Sequence, residues 1–423
     1  MLKYVLLFLL VIHFGIAHAQ VSYAQPSLKF QDSIKKNELK KSIGNGYIPT
    51  RYFNFDLRYL IKYNQYEGIR SGIGGITNDA FSEKYKINSY GVYGFLDHRF
   101  KYNVGGSLRL SEASNSWLSL NYTDDLQESG STKFLTDKRF FQFFEPRLLN
   151  ISLFHKHITK ALGIEHKISN RLTSEAEFAI SNITPTYNYG YVLDEKVLNS
   201  FHISTAKIAF QWQPFYKTKT LENNTIETVN EFPKITIQYT KSFKDVFKSD
   251  FNFSKIDFRT IHQIGDFNKG LTEVTLVAGI TGGNVPLTHL YHAYPNNINK
   301  ETIMQRFSVA GNNSFETMFF NEFFSDKFTT LQIKQYLKPF HISNQFNPQM
   351  VLITRYALGD ISHPEQHQNV TFSSLEKGYS ESGFEINKLL FGFGLSFTYR
   401  YGAYHLPEFG DNVAFKFTFN LTL

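Results

Sequence analysis

Beyond residue 50 the chain keeps a period of two. At its end Phe415, Phe417, Phe419, Leu421 and Leu423 share one parity, while Lys416, Thr418, Asn420 and Thr422 share the other. Between 389 and 400, Phe391, Phe393, Leu395, Phe397 and Tyr399 alternate with Gly392, Gly394, Ser396, Thr398 and Arg400. Ile208, Phe210 and Trp212 alternate with Lys207, Ala209 and Gln211, and Ile235, Ile237 and Tyr239 with Lys234, Thr236 and Gln238. Thr173, Glu175 and Glu177 alternate with Leu172, Ala176 and Phe178. Successive strand residues point to opposite faces, so each segment reads as a strand with one apolar and one polar face. Sixteen such strands are predicted, near 52–63, 66–77, 84–96, 99–110, 115–124, 157–168, 171–182, 203–213, 233–242, 251–263, 271–281, 328–337, 349–359, 378–387, 389–400 and 412–423. Phe315 to Phe324 has the character of a further strand, which would disturb that count.

Alternation alone fits a soluble sandwich, apolar inside, or a membrane barrel, apolar outside. Three features favour the barrel. The segments run to about ten residues, as a tilted spanning strand requires. Small and charged residues share the polar face. Tyrosines crowd strand ends, as at Tyr59, Tyr63 and Tyr66, or Tyr399, Tyr401 and Tyr404, matching interfacial girdles. With both termini periplasmic, the long connections 125–156, 183–202, 282–327 and 360–377 fall outside, and the tight Ser169-Asn170 and Asn387-Lys388 fall inside. Long outside and short inside is the barrel rule, and 214–232 breaks it.

The N-terminus differs from everything after it. Lys3 precedes an apolar run, Tyr4 to Ile16, and Ala17-His18-Ala19 gives an A-x-A cleavage site. Residues 1–19 therefore read as a cleaved signal peptide. Residues 20–49 read as a periplasmic lead, in which 30–42 forms a short helix ended by Gly44-Asn45-Gly46. The barrel occupies 50–423. Export through a signal peptide into an outer membrane of the Gram-negative type follows from this order.

Composition narrows the chemistry. The 423 residues include 43 Phe and 25 Tyr but no Cys. Disulfides, thiolate metal sites, a cysteine nucleophile and a lipid-anchored cysteine are excluded. The net charge of +7 is spread along the chain rather than gathered on one face, so nucleic acid is not an expected partner. Anionic lipid headgroups are a better match.

Candidate sites are few. His155 and His157 share a strand face, but no third ligand accompanies them. His289, His292, His363 and His367 fall in predicted outer loops without an H-E-x-x-H frame. No G-x-S-x-G elbow occurs, although separate strands are able to assemble a serine triad. No catalytic, cofactor or metal residue is assigned. Glu175, Glu177, Lys234, Arg400 and Lys416 are the candidate lumen charges, either a solute filter or a salt-bridged plug. Phe415, Phe417, Phe419, Leu421 and Leu423 are the lipid face of the closing strand.

Three blocks carry a resemblance. Tyr66 to Gly106 resembles the opening strands of a barrel family of unknown function, Phe315 to Leu337 its central segment, and Tyr399 to Leu423 its closing hairpin. That family forms the C-terminal half of outer-membrane proteins with a carboxypeptidase-like regulatory domain. The regulatory domain is absent here, and the chain ends in Leu423 where many such barrels end in an aromatic. More faintly, the last five strands and the loop before them resemble the surface-antigen superfamily of barrel-assembly and two-partner secretion proteins.

The adopted reading is an all-β, transmembrane antiparallel barrel of about 16 strands (14–18), behind a short periplasmic lead. Its expected role is non-enzymatic, in transport or envelope structure. The alternatives are a component of outer-membrane protein assembly or secretion, and a barrel hydrolase. Expected partners are outer-membrane lipid, the assembly machinery during insertion, and periplasmic or surface proteins. No cofactor is expected.

Overall fold

The computed structural model describes residues 42–137, 147, 151–220, 226–298, 309–342, 346–390 and 393–419. The signal segment and residues 20–41 of the lead lie outside these. Residues 42–44 are helical, and Gly46 follows with φ 76°, a conformation glycine adopts freely; the helix expected over 30–42 lies, apart from residue 42, outside the described residues.

Among the described residues the wall has sixteen staves. The first, β1, is broken: Phe53–Asp56 and Ile61–Asn64 flank a 3-10 turn at Leu57–Tyr59. Asp56 makes the break by accepting the Arg58 N–H (2.9 Å) and pairing with its guanidinium. Both halves pair with β2, Gly68–Thr77. The wall continues through β3 (Tyr85–Gly94), β4 (Arg99–Ser111), β5 (Ser116–Glu128), β6 (Phe154–Lys167), β7 (Leu172–Pro185), β8 (Phe201–Trp212) and β9 (Lys234–Ser242). It ends with β10 (Phe253–Asp266), β11 (Gly270–Gly283), β12 (Lys327–Tyr336), β13 (Gln349–Asp360), β14 (Tyr379–Leu390), β15 (Phe393–Tyr401) and β16 (Val413–Phe419). Each stave pairs antiparallel with the next. The sheet contains eighteen elements because β1 contributes two and Tyr47–Pro49 adds a short third.

The faces are those of a membrane barrel. Phe415 is 71% exposed, while its neighbour Lys416 is 4% exposed. On β13, Leu352, Tyr356 and Leu358 point outward while Ile353, Arg355 and Ala357 are buried. Apolar residues thus line the outside, and the interior is polar over most of the wall.

The predicted parity holds at both ends. Turns at 112–115, 168–171 and 267–269 are short, and 129–153, 186–200, 284–326 and 361–378 are long at the other end. The one long connection predicted at the turn end contains a two-stranded hairpin, Tyr216–Thr220 with Ile226–Asn230. At the outer end the loops pack into a cap. Gly190–Leu193 pairs with both Lys196–Leu198 and His367–Gln368, and Tyr189, Tyr191, Phe251, Leu287 and Phe324 bury one another beneath it.

Two expectations are corrected. The connection 282–327 does not stay outside, because Pro295–Asn297 and residues 309–324 lie in the interior. Of Phe315–Phe324, only Phe315–Phe319 is a strand, paired in parallel with Pro295–Asn297 inside the barrel, so the wall count is unchanged.

Candidate functional site

The inward loop is amphipathic in a way that suits a polar lumen. Phe315, Met318 and Phe323 pack with Tyr291, Phe328, Ala357 and Tyr379. Its polar residues meet the wall's charges. Glu316 (1% exposed) forms an ion pair with Lys416 of β16 at 2.8 Å. Its other oxygen accepts from Ser314 Oγ (2.7 Å) and the Gly311 N–H (3.0 Å). Lys416 also donates to the Asn296 carbonyl. Burial opposes ionisation of Glu316, but Lys416 and then Arg355 outweigh it, and its carboxyl lies below the usual range.

A second latch lies beside the first. Arg355 of β13 pairs with Glu381 of β14 at 2.7 Å, and its Nε donates to Gln332. Glu381 accepts the backbone N–H groups of Glu316 and Thr317, each at 2.9 Å, and the Thr317 hydroxyl at 2.6 Å. Arg400 of β15 clasps Glu322 at 2.6 Å and lies 4.8 Å from the Tyr379 ring centroid. The loop is therefore held by wall charges on four adjacent staves. Buried ion pairs persist where further hydrogen bonds support them; here the carboxylates of Glu316 and Glu381 are fully engaged, while Arg355 Nη2 and Arg400 Nε are buried without a hydrogen-bond partner.

The 129–153 connection also enters. The Leu135 N–H donates to Gln238 Oε1 (2.9 Å), Phe134 lies under Arg259 (4.5 Å), and Asp137 pairs with Arg259. Arg147 joins the two loops, pairing with Glu128 and donating to the Pro295 carbonyl (3.0 Å).

The candidate lumen charges therefore separate. Arg400 and Lys416 are spent on the latches. Glu175 and Glu177 instead line a water-accessible vestibule of about 350 Å³ with Lys86 and Trp117. Glu177 is 3.1 Å from Lys207. Lys234 starts β9 with the parity of buried Thr236, and is half-buried. Phe415 and Phe417 are exposed on the outer face. Phe419 pairs with Phe393; its side chain, and all of Leu421 and Leu423, lie outside the described residues. Sequence reasoning missed Glu316, Glu322, Arg355 and Glu381. Acidic residues among phenylalanines in 315–324 were the available signal.

The histidines are structural in their surroundings. His155 meets Ser129 (3.1 Å), His157 meets Thr159 (2.9 Å), and His292 pairs with Glu128 (2.8 Å). Ser129–His155 and Ser116–His166 are Ser–His contacts, but no carboxylate bonds either ring among the described residues. Those residues contain no group able to hold a metal ion.

The seam is the other unusual feature. Among the described residues no ladder joins β16 to β1. The free edge of β16 is instead met by the inward loop. Val309 lies parallel to Phe417, and the Ala310 N–H donates to the Phe417 carbonyl at 2.8 Å.

The family described as "Family of unknown function (DUF5686) C-terminal domain" matches residues 41–318. No curated protein matches the chain. Among solved structures, BamA from Haemophilus ducreyi lacking POTRA domains 1-3 superposes with TM-score 0.52 at 11% identity, covering 94% of this chain and 79% of that one. CdiB from Acinetobacter baumannii gives 0.43 at 11% identity, over 84% and 57%. The siderophore receptor PirA from Pseudomonas aeruginosa gives 0.36 at 9% identity, over 84% and 64%. At 11% identity the BamA likeness speaks for the barrel fold alone.

Proposed function

The chain belongs to this family of unknown function, and we propose that it acts in the outer membrane as a non-enzymatic barrel whose seam receives an extended polypeptide, in outer-membrane protein assembly or secretion. The carrying observation is the β16 edge, whose backbone bonds to residues 309–310 rather than to a first-strand ladder. An unpaired strand edge is a template for another strand, and unsatisfied backbone groups at membrane depth cost several kcal/mol each. A loop segment that covers this edge is a placeholder that an incoming strand can replace, using the same backbone bonds. The two connections that enter the interior, through Glu316 and Leu135, support this reading over a permanently open pore.

The test uses purified protein in lipid vesicles with a photo-crosslinking residue at Phe417. The probe is a synthetic peptide of residues 412–423. Adducts at 417 and none at Leu352, which is equally lipid-facing on β13, are expected. Equal labelling at both positions, or none at 417, sinks the reading.

A gated solute pathway is the second reading, favoured by the charged vestibule at the turn end. Steady conductance of the unmodified protein in planar bilayers would favour it over the seam.

A further inference from the structure

The outer surface of β3–β6 is not smooth. The register places Ile87, Gly106, Leu120 and Leu162 side by side in one row across four staves. Ile87, Leu120 and Leu162 are 49%, 63% and 49% exposed, so each stands out from the wall. Gly106 has no side chain between them. The result is an apolar trough of about 710 Å³, in the half of the wall nearer the turn end. Phe81 and Tyr85 rise at its mouth.

Nothing in the backbone requires glycine at 106. A Cβ added there would meet only the Lys86 carbonyl oxygen, at 4.0 Å, and φ is not positive. The hollow is therefore a property of the surface rather than a consequence of tight strand packing. Beside its mouth, the exposed Lys84 holds its ammonium 5.9 Å from the Tyr85 ring centroid. This places a cation beside an exposed tyrosine at the first position of its strand, the pairing found where barrel walls meet headgroups.

We propose that the trough seats one acyl chain of a phospholipid from the periplasmic leaflet, with its phosphate at Lys84. Hydrocarbon is as apolar as the trough wall, so no hydrophobic gain distinguishes this site from the rest of the surface. Shape does. An unfilled hollow forfeits dispersion contacts on every lining side chain, and an ordered chain restores them. The ammonium adds charge complementarity at one end, which selects an anionic headgroup and fixes the direction of the chain. The site is independent of the seam and of the latched loop.

Native mass spectrometry of the detergent-purified full-length protein, reconstituted with phosphatidylglycerol and then exchanged into lipid-free detergent, tests this. The unmodified protein should keep one lipid. Gly106→Phe fills the trough and should lower retention about tenfold. Gly106→Leu should do the same to a lesser degree. Gly91→Phe is the control, because Gly91 is also exposed on the outer face with nothing within 4 Å of an added Cβ. It should retain lipid as the unmodified protein does. Lys84→Glu should reduce retention of phosphatidylglycerol more than of phosphatidylethanolamine. Heat-modifiable migration on gels reports folding for every variant. Equal retention by both folded Gly106 variants and the unmodified protein overturns the site, as does an equal loss in Gly91→Phe. Indifference to Lys84→Glu overturns the headgroup placement.

Discussion

Arg355 and Glu381 face each other at 2.7 Å across β13 and β14, 1% and 0% exposed, and the same carboxylate holds the inward loop through Thr317. One buried ion pair thus connects the wall to the loop. Removing one partner strands the other charge in the interior. Glu381→Ala should cost roughly 3–5 kcal/mol, and Arg355→Met with Glu381→Leu much less than the sum of the singles. Denaturant unfolding in detergent, read as a double-mutant cycle, measures this. Glu381→Ala should also raise ion current above that of the unmodified protein. An additive cycle with no change in current would show that the pair does not latch the loop.

The β16 facing makes a second prediction. Phe415→Arg puts a charge on the lipid face and should lower folded barrel, by about 2–4 kcal/mol if near the midplane. Thr418→Arg would be well tolerated in a wet lumen. Thr418 is instead 4% exposed and donates to Asn387 Oδ1 at 2.6 Å, so it should be harmful too. In a cysteine scan, 415 and 417 should respond to lipid-phase quenchers. Positions 416 and 418 should resist water-soluble reagents until Glu381→Ala frees the loop. Ready aqueous labelling of 416 in the unmodified protein would contradict the latched state.

The cap should weaken in acid. Tyr189 Oη accepts the Leu287 N–H (2.9 Å) and lies 2.9 Å from His367 Nδ1, which seats that ring in the buried cap. Burial pulls His367 down to about 4 and His289, which Lys255 also disfavours, to about 3. An exposed histidine titrates near 6.5. Below that value the opened cap binds protons that the closed cap refuses. Cap stability is therefore complete above pH 6.5 and declines as pH falls towards 4, by about 1.4 kcal/mol per unit for each histidine. Amide exchange of 186–200 and 361–378 should be faster at pH 4.5 than at pH 7.5. His367→Gln should flatten the difference. Equal protection at both values would exclude the mechanism.

Gly383 of β14 is needed for a close approach. A Cβ there would stand 1.9 Å from the Phe397 carbonyl oxygen and 2.7 Å from Thr398 Cα, both backbone atoms of β15. Gly383→Ala should cost about 1–3 kcal/mol by forcing these staves apart. Gly91→Ala, with open space around it, should stay within about 0.5 kcal/mol. Midpoints of heat-modifiable migration compare the two. Similar midpoints would mean that the strands relax without cost.

The sequence by itself determined the wall. Period-two alternation is a local property, because each residue's face follows from its neighbours' geometry. Phe415 against Lys416, or Tyr356 against Arg355, shows its facing without knowledge of any other strand. Strand length and connection parity then set the staves, and even the break at Asp56 left the count at sixteen. Where the long connections go was a different matter. Glu316 meets Lys416 across 100 positions of chain, and Glu322 meets Arg400 across 78. Neither period nor composition encodes such a pairing. A charge alternating inward looks the same whether water or another side chain will neutralise it. Only the assembled staves bring Arg355, Arg400 and Lys416 close enough together that desolvation forces them to find partners, and the phenylalanine-rich loop supplies those partners by burying its own apolar face in the same descent.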